Sequence, residues 1–243
     1  LFIDIPVRQA LMYGLDRHLI ADEIFFGYAT PANGTQHPLS IAHDESRINT
    51  IYTYDPERAR ALLDDAGWVV GDDGIREKDG VRFNFECVYA ENVDPRRQIL
   101  TYAQQAWKDI GIEMQPIALP FQSLIDLFDT GEYEMVLNGF SWGVDGGQGD
   151  IFRCDAVPPA GFNTMHYCNP RYDELDAQQM AELDVEKRVD LLIEQSNIVN
   201  DEVAAGVLLF HTSVFGSRAT LHNFLPNGYD EFWSMPWWWT EVQ

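Results

Sequence analysis

The most informative stretch of this chain is Tyr133-Glu-Met-Val-Leu-Asn-Gly-Phe-Ser-Trp-Gly-Val-Asp-Gly-Gly-Gln-Gly-Asp-Ile-Phe152. It begins with a short apolar run, residues 135–137, whose length fits a buried strand. It then becomes glycine-rich and carries aromatic rings and carboxylates at Phe140, Trp142, Asp145 and Asp150. Glycine lets the backbone approach another group closely, so such a loop at the end of a strand predicts a site for a small molecule with a cationic group. The alternative is a surface loop whose tryptophan packs on the core.

Strands and helices alternate on the N-terminal side of this stretch. Periodicity predicts strands at residues 81–90 and 112–118, and helices at residues 94–110 and 120–129. The order strand–helix–strand–helix–strand predicts a mainly parallel sheet with right-handed crossovers. Ligands of such sheets bind outside the carboxyl ends of the strands, and residues 140–150 follow such an end.

Capping residues and turn sequences predict the remaining elements. Asp55 and Gly67 bracket the best-defined helix, and residues 68–80 read as a hairpin with two turns. Residues 221–243 are loop-like and rich in aromatic side chains. The other predicted elements are helices at residues 6–26, 170–182 and 184–201 and strands at residues 203–210 and 213–219.

Composition and charge exclude several classes of protein. The 243 residues are 46% hydrophobic and 23% charged, which is typical of a folded globular protein of one or two domains. The net charge of −23 opposes binding to nucleic acid, whose phosphates would be repelled, and permits cationic partners. The chain begins without a signal peptide or an initiator methionine, so we expect it to be processed or a fragment.

The cysteines and histidines do not predict a metal site. Cys87 lies in an alternating strand pattern and reads as a small buried residue. Cys154 and Cys168 could close a disulfide if the protein is extracytoplasmic. No C-x-x-C motif or paired histidines accompany them, so we expect no zinc and no cofactor. The histidines are scattered along the chain, among them His37, His43, His166, His211 and His222.

Several motifs resemble one known family when they are taken in order along the chain. They are Asp4-Ile-Pro-Val-Arg-Gln-Ala-Leu-Met-Tyr-Gly-Leu-Asp-Arg17, Gly27-Tyr-Ala-Thr-Pro-Ala32, Tyr54-Asp-Pro-Glu-Arg-Ala-Arg-Ala-Leu-Leu-Asp-Asp-Ala-Gly67, Trp107-Lys-Asp-Ile-Gly-Ile112 and Phe162-Asn-Thr-Met-His-Tyr-Cys-Asn-Pro-Arg-Tyr-Asp-Glu-Leu175. The pattern is similar to that of the family 5 extracellular solute-binding proteins, which are the peptide, dipeptide and nickel receptors of ABC importers. The resemblance covers nearly the whole chain.

The resemblance implies an α/β fold, a periplasmic-binding-protein-like (class II) lobe with a mainly parallel central sheet flanked by helices. Family members are about twice as long, so residues 1–220 are expected to form the C-terminal ligand-binding lobe. Residues 221–243 would then be a tail that returns to the missing N-terminal lobe. The implied function is not enzymatic: a peptide or similar small solute binds between two lobes and is passed to an ABC permease in the membrane. The implied location is periplasmic or extracellular, as a lipoprotein or a secreted protein.

The same resemblance implies a set of ligand-binding residues. In peptide-binding members an aspartate of the glycine-rich loop pairs with the α-ammonium of the peptide, and the equivalent here is Asp145 or Asp150. Phe140 and Trp142 would supply apolar walls. Asn163 matches a family motif and would contact the ligand or the hinge, or else form a turn. Cys154 and Cys168 resemble a cysteine pair of dipeptide-binding members, which implies a disulfide.

Two rival interpretations remain open from the sequence. Gly139-Phe-Ser-Trp-Gly143 matches the G-x-S-x-G elbow of α/β-hydrolases, which would make Ser141 the nucleophile of an esterase. A triad would then use Asp173 with His211 or His222. Against this, the elbow requires a helix after the serine, and the glycines that follow disfavour one. The second rival is a scaffold or regulatory module built on the same lobe.

Overall fold

A computed structural model describes residues 1–141, 143–228 and 230–241. The α-helices in chain order are α1 (Ile5–Tyr13), α2 (Arg17–Leu19), α3 (Pro56–Asp65), α4 (Asp94–Lys108), α5 (Phe121–Thr130), α6 (Gly149–Phe152), α7 (Pro170–Ala181) and α8 (Val185–Glu202). The strands are β1 (Ala29–Pro31), β2 (Val69–Val70), β3 (Arg76–Lys78), β4 (Val81–Arg82), β5 (Asn84–Ala90), β6 (Glu113–Leu119), β7 (Met135–Leu137), β8 (Leu209–His211), β9 (Leu221–His222) and β10 (Trp239–Thr240). None of the helices in the described ranges is long and apolar enough to span a membrane.

The central sheet consists of three parallel strands in the order β6–β5–β7. Helix α4 connects β5 to β6, and α5 connects β6 to β7, so both connections are crossovers of the kind that parallel strands require. Tyr89 of β5 lies opposite Ala118 of β6 and Leu137 of β7, which brings the carboxyl ends of all three strands to one edge. The parallel sheet flanked by helices confirms the predicted fold class.

Capping side chains fix the ends of several helices. The Asp55 carboxylate accepts a hydrogen bond from the Arg58 N–H at the start of α3, and Asn169 does the same at the start of α7. The Asp184 side chain accepts from two N–H groups of the first turn of α8. Each cap satisfies donors that have no partner within the helix, which is why these boundaries were predictable from sequence.

The largest core cluster joins α1, α3 and α4 to one face of β5. Leu63 of α3 and Ala10 of α1 are fully buried, and Trp107 of α4 donates its indole N–H to the carbonyl of Leu11 at 3.0 Å. Helix α5 covers the other face of the sheet through Leu124 and Phe128. Burial of a leucine such as Leu63 contributes about 1.5–3 kcal/mol, so these contacts hold the sheet between two helical layers.

The predicted helix at residues 6–26 is wrong in its length. Gly14 ends α1, and Asp16 then starts α2 by accepting hydrogen bonds from His18 and Leu19 N–H groups. A five-residue π turn, Ile20–Ile24, follows. A Cβ atom on Gly14 would lie 2.9 Å from Cδ1 of Ile110, so a side chain at this position would have to displace Ile110, which lies just after α4. Helical periodicity alone does not show this break.

The predicted strand at residues 203–210 is wrong for most of its length. Val203 ends α8 in the left-handed conformation with φ of 47°, and only β8 is extended and paired, antiparallel to β1. Residues 213–219 contain no strand, because no described segment pairs with them. In the tail, which the sequence suggested was loop-like, β9 and β10 pair as a short antiparallel ladder. Partners in the tertiary structure, rather than apolar runs, decided which segments became strands.

Candidate functional site

The glycine-rich loop, residues 138–148, leaves the carboxyl end of β7 at the edge of the parallel sheet. This is where the sequence placed it. Phe140 has 40% of its surface exposed, and Ser141 is exposed beside it. Trp142, the other predicted apolar wall, lies outside the described residues. Farther along the loop, the carbonyl of Val144 accepts a hydrogen bond from Ile41 at 2.9 Å, so the loop is attached to the irregular segment that follows β1.

Asp145 forms a bidentate ion pair with Arg188 of α8. Its two carboxylate oxygens accept hydrogen bonds from Nη1 and Nη2, both at 2.7 Å. The pair lowers the pKa of the Asp145 carboxyl and raises the pKa of Arg188. The Asp145 side chain is 65% exposed, so water screens the pair and its net stabilisation is about 1 kcal/mol or less. The ion pair orients the carboxylate on the surface of the lobe.

Asp150, the alternative ligand carboxylate, lies in the first turn of α6 and is exposed. The two residues that follow it, Ile151 and Phe152, are buried and anchor this short helix in a separate core cluster. Asp145 lies in the glycine-rich loop and Asp150 in the helix that follows it, so the two carboxylates have different surroundings. Arg188 compensates the charge of Asp145, whereas no ion pair is present at Asp150 within the described residues.

Buried polar side chains beneath the loop hold it in place. Gln148 exchanges hydrogen bonds with Thr35: its amide oxygen accepts from the hydroxyl at 2.7 Å and its amide nitrogen donates to the carbonyl at 3.0 Å. Gln36 donates to the carbonyl of Gly146 at 2.9 Å. These side chains are almost fully buried, so the hydrogen bonds compete little with water. They fix the backbone from which Asp145 projects.

The end of the loop packs against a buried carboxylate. A Cβ atom on Gly149 would lie 2.8 Å from Cγ of Asp176 and closer still to one of its oxygens, so a side chain here would have to displace the Asp176 carboxylate. Asp176 is 2% exposed and accepts hydrogen bonds from Gln179 and Gln195 at 3.1 and 3.2 Å. Gln179 in turn accepts from Nε of Arg188, which links the buried cluster to the ion pair of Asp145.

Sequence reasoning missed Arg188 and this supporting cluster. Arg188 belongs to a helix that was predicted, but nothing in the local sequence indicates that it pairs with a carboxylate 43 positions earlier. Gln148 and Asp176 also carry no motif. Only the packing of α7 and α8 beneath the loop brings these side chains together.

Asn163 is buried, and its side chain stabilises a turn. It is fully buried, its amide donates to the carbonyls of Arg153 and Tyr167 at 2.9 and 2.7 Å, and its oxygen accepts from the Tyr167 N–H. These bonds form the turn between Cys154 and Cys168. A contact between Asn163 and a ligand would therefore require this loop to open.

The structure joins Cys154 and Cys168 in a disulfide, with Cα atoms 4.4 Å apart. The remaining cysteine, Cys87, is 1% exposed in the middle of β5. Burial raises the pKa of its thiol to about 12, because the interior disfavours the charged thiolate. No group of three or more His, Cys, Asp or Glu side chains could hold a metal ion within the ranges that the structure describes.

The hydrolase interpretation finds no support in the structure. Residues 143–148 contain no helix before α6, so the strand–turn–helix of a nucleophile elbow is not formed in the described part of this loop. Asp173 accepts a hydrogen bond from the Cys154 N–H, and His222 contacts Glu241 at 3.0 Å. His211 belongs to β8, which pairs with β1. The proposed triad residues are engaged in other contacts.

Solved structures share this fold of a parallel sheet flanked by helices. The structure of the oligopeptide-binding protein AppA from Bacillus subtilis in complex with a nonapeptide is similar over 100% of this chain and 48% of that chain, with a TM-score of 0.89 and 23% identity. NikZ from Campylobacter jejuni, solved with Ni(L-His), is similar over 98% of this chain and 49% of that chain, with a TM-score of 0.84 and 24% identity.

The sequence assigns the family. Bacterial extracellular solute-binding proteins, family 5, middle region, match residues 1–161, and the chain belongs to this family. It is 29% identical to the oligopeptide-binding protein AppA of Bacillus subtilis (strain 168) over 187 residues, which are 75% of this chain and 34% of AppA. It is also 29% identical to the glutathione-binding protein GsiB of Escherichia coli (strain K12) over 204 residues, 81% of this chain and 37% of GsiB.

The chain spans about a third of the length of these curated relatives. The family resemblance predicted from the motifs is confirmed, and the family consists of solute-binding proteins rather than enzymes.

Proposed function

We propose that this chain is one lobe of the extracytoplasmic solute-binding component of an ABC importer, and that it binds a peptide or a similar small solute in a cleft between two lobes. The observation that carries the proposal is the glycine-rich loop at the carboxyl edge of the parallel sheet. This loop exposes an aromatic ring and an oriented carboxylate, at Phe140 and Asp145. The names of the relatives AppA and GsiB, an oligopeptide-binding and a glutathione-binding protein, favour a peptide-like solute.

The mechanism is a two-lobed clamp. Solute binds to the exposed loop, and the second lobe then closes over it and removes water from the site. Loss of water strengthens each charged contact, because the interaction between charges increases as the effective dielectric constant falls. The closed protein docks on a permease in the membrane, which places it in the periplasm or outside the cell, as a lipoprotein or a secreted protein.

Within this clamp, residues 1–220 form the ligand-binding lobe and residues 221–243 return to the second lobe. Exposed aromatic side chains in the tail support this division, because large apolar surfaces are normally covered by a partner. They are Phe232, Trp233, Trp237 and Trp239, which are 45–60% exposed.

Asp145 or Asp150 receives a cationic group of the solute. Two N–H groups of Arg188 already orient the Asp145 oxygens, and carboxylate oxygens can each accept a further hydrogen bond. Asp150 presents an exposed carboxylate on α6. Phe140, with Trp142, supplies the apolar wall. Asn163 contributes to solute binding indirectly, because it holds the turn between Cys154 and Cys168.

The proposal is tested on the full-length protein that contains this chain. Mass spectrometry of solutes that co-purify with it should reveal peptides or peptide-like molecules, and small-angle X-ray scattering should show a more compact particle after the solute is added. The isolated chain should bind di- and oligopeptides only in the millimolar range, because it supplies half of the site. Tight binding by the isolated chain would contradict the clamp, and a full-length protein that never closes on any solute would favour a scaffold.

A further inference from the structure

A partly buried arginine, Arg96, lies at the same edge of the sheet as the glycine-rich loop. It belongs to the first turn of α4, which starts at Asp94 shortly after β5 ends at Ala90. A Cβ atom on Gly139 would lie 3.5 Å from Nη2 of Arg96. Because β5 and β7 are neighbours in the sheet, their carboxyl ends bring the guanidinium against the start of the loop.

The guanidinium of Arg96 has no hydrogen-bond acceptor or acidic partner among the described residues. Every other partly or fully buried arginine among the described residues has such a partner. These other arginines bond to carboxylates or backbone carbonyls: Arg8, Arg17, Arg60, Arg76, Arg82, Arg153 and Arg188. The nitrogen atoms of Arg96 are not among the enclosed unpaired polar atoms, so the guanidinium is open to solvent.

The position of Arg96 is unfavourable for the stability of the lobe. A cation in the first turn of a helix is opposed by the helix dipole. Partial burial removes water from the guanidinium and lowers its pKa, and no acceptor replaces that water. The chain has 39 acidic residues against 16 Lys and Arg, so carboxylates that could have paired with Arg96 are abundant. A costly unpaired cation beside a binding loop indicates a role in binding.

We propose that Arg96 binds an anionic group of the solute, a carboxylate or a comparable oxyanion, at the carboxyl edge of the central sheet. The inference rests on the proposed function, because it assigns a contact within that site. A guanidinium presents parallel N–H groups that match the two oxygens of a carboxylate. Arg188 already balances the charge of Asp145, so the uncompensated charge at the start of the loop is positive. The solute class is therefore acidic or zwitterionic, and neutral sugars are disfavoured.

The test compares two matched probes, trialanine and trialanine amide, by isothermal titration calorimetry with the full-length protein. The unmodified protein should bind trialanine at least about tenfold more tightly than the amide, which lacks the terminal negative charge. Arg96→Gln should remove this difference. Arg97→Gln is the matched control, since Arg97 is the exposed neighbour that pairs with Asp94 at 3.6 Å, and it should keep the difference. A preference for trialanine that survives in Arg96→Gln would overturn the proposal.

A second measurement separates this inference from the proposed function. If neither peptide binds, the peptide-binding proposal fails, and acetate then serves as a probe of Arg96 alone. The Nε–Hε signal of Arg96 is followed by NMR while acetate is added, with exposed Arg218 as the internal reference. A saturable shift of the Arg96 signal supports the anion site. A linear shift equal to that of Arg218 overturns it.

Discussion

Single charged side chains at the edge of the sheet differ in how their charge is balanced. The Asp145 carboxylate accepts two hydrogen bonds of 2.7 Å from the guanidinium of Arg188. The guanidinium of Arg96 lies next to Gly139 and has no acceptor among the described residues. Ion pairing favours the charged forms of Asp145 and Arg188, while desolvation disfavours the charged form of Arg96. At the carboxyl edge of the sheet, Asp145 is thus a compensated anion and Arg96 an uncompensated cation.

Arg188→Gln should raise the pKa of the Asp145 carboxyl toward its ordinary value. The folded-state pKa is depressed, so the ion pair stabilises the protein above the unfolded pKa of about 3.9, and this stabilisation is lost as pH falls through the folded pKa. NMR titration of the Asp145 carboxyl carbon measures the change. Arg171→Gln is the control, because Arg171 pairs with Glu194 and Glu174 instead. An unchanged Asp145 pKa in Arg188→Gln would show that the pair is not formed in solution.

Cys87 should resist alkylation in the native protein. Its thiol is 1% exposed and its pKa is raised to about 12, so at pH 8 it is protonated and out of reach. Mass mapping after iodoacetamide treatment should find no label in the native protein. After denaturation without a reductant, Cys87 should be the labelled cysteine. Label on Cys154 or Cys168 in that sample would show that their disulfide is not formed.

At the scale of elements, α6, α7 and α8 form the base on which the glycine-rich loop rests. Gly149 at the start of α6 packs against Asp176 of α7, and Gln179 of α7 links that carboxylate to Arg188 of α8. Three helices that follow the loop in the chain therefore support its end, while Thr35 and Gln36 hold it from a segment that precedes it. The contacts from Gly149 through Asp176 and Gln179 to Arg188 are all direct. These helices therefore fix the direction in which Asp145 projects.

Gly149→Ala should destabilise the lobe by about 1–3 kcal/mol, because the added methyl group would overlap the enclosed Asp176 carboxylate. Urea unfolding measures the loss. Gly143→Ala is the matched control in the same loop, since its nearest neighbour would lie 4.0 Å away, and it should change stability little. Equal effects of the two substitutions would contradict the packing at α6.

Replacing Cys154 and Cys168 together with serine should lower the free energy of unfolding by about 3 kcal/mol. The disulfide closes a loop with a sequence separation of 14, and removing it restores conformational freedom to the unfolded chain. Thermal unfolding of the double variant is compared with that of Cys87→Ser, which leaves the disulfide intact. A double variant as stable as the parent protein would show that this loop is held by Asn163 and its hydrogen bonds alone.

At the scale of the whole molecule, the tail is packed mainly on itself. Its aromatic rings contact one another, with Phe224 and Phe232 against Trp238 and Trp233 against Trp237. The hydrophobic core clusters draw on residues 1–208 and include none of the tail residues that the structure describes. The described part of the tail therefore has a large apolar surface without a matching contribution to the core, and we propose that a second lobe covers this surface.

Removal of residues 221–243 should change the melting temperature of the isolated chain by only a few degrees, because the core clusters remain complete. A thermal-shift assay measures the difference. A longer truncation that removes residues 207–243 also deletes β8, the partner of β1, and should lower the melting temperature further. A large loss of stability in the shorter truncation would argue that the tail belongs to this lobe.

Local patterns in the sequence were enough to predict the parallel sheet, most helix boundaries, the family and the position of the loop. These features depend on apolar periodicity, caps such as Asp55 and the alternation of strands and helices, all of which are local. Contacts in the folded protein set the break at Gly14, the short strand β8 and the partner of Asp145. The physical reason is that each of these depends on a contact between residues far apart in the chain, and local patterns carry no record of such contacts.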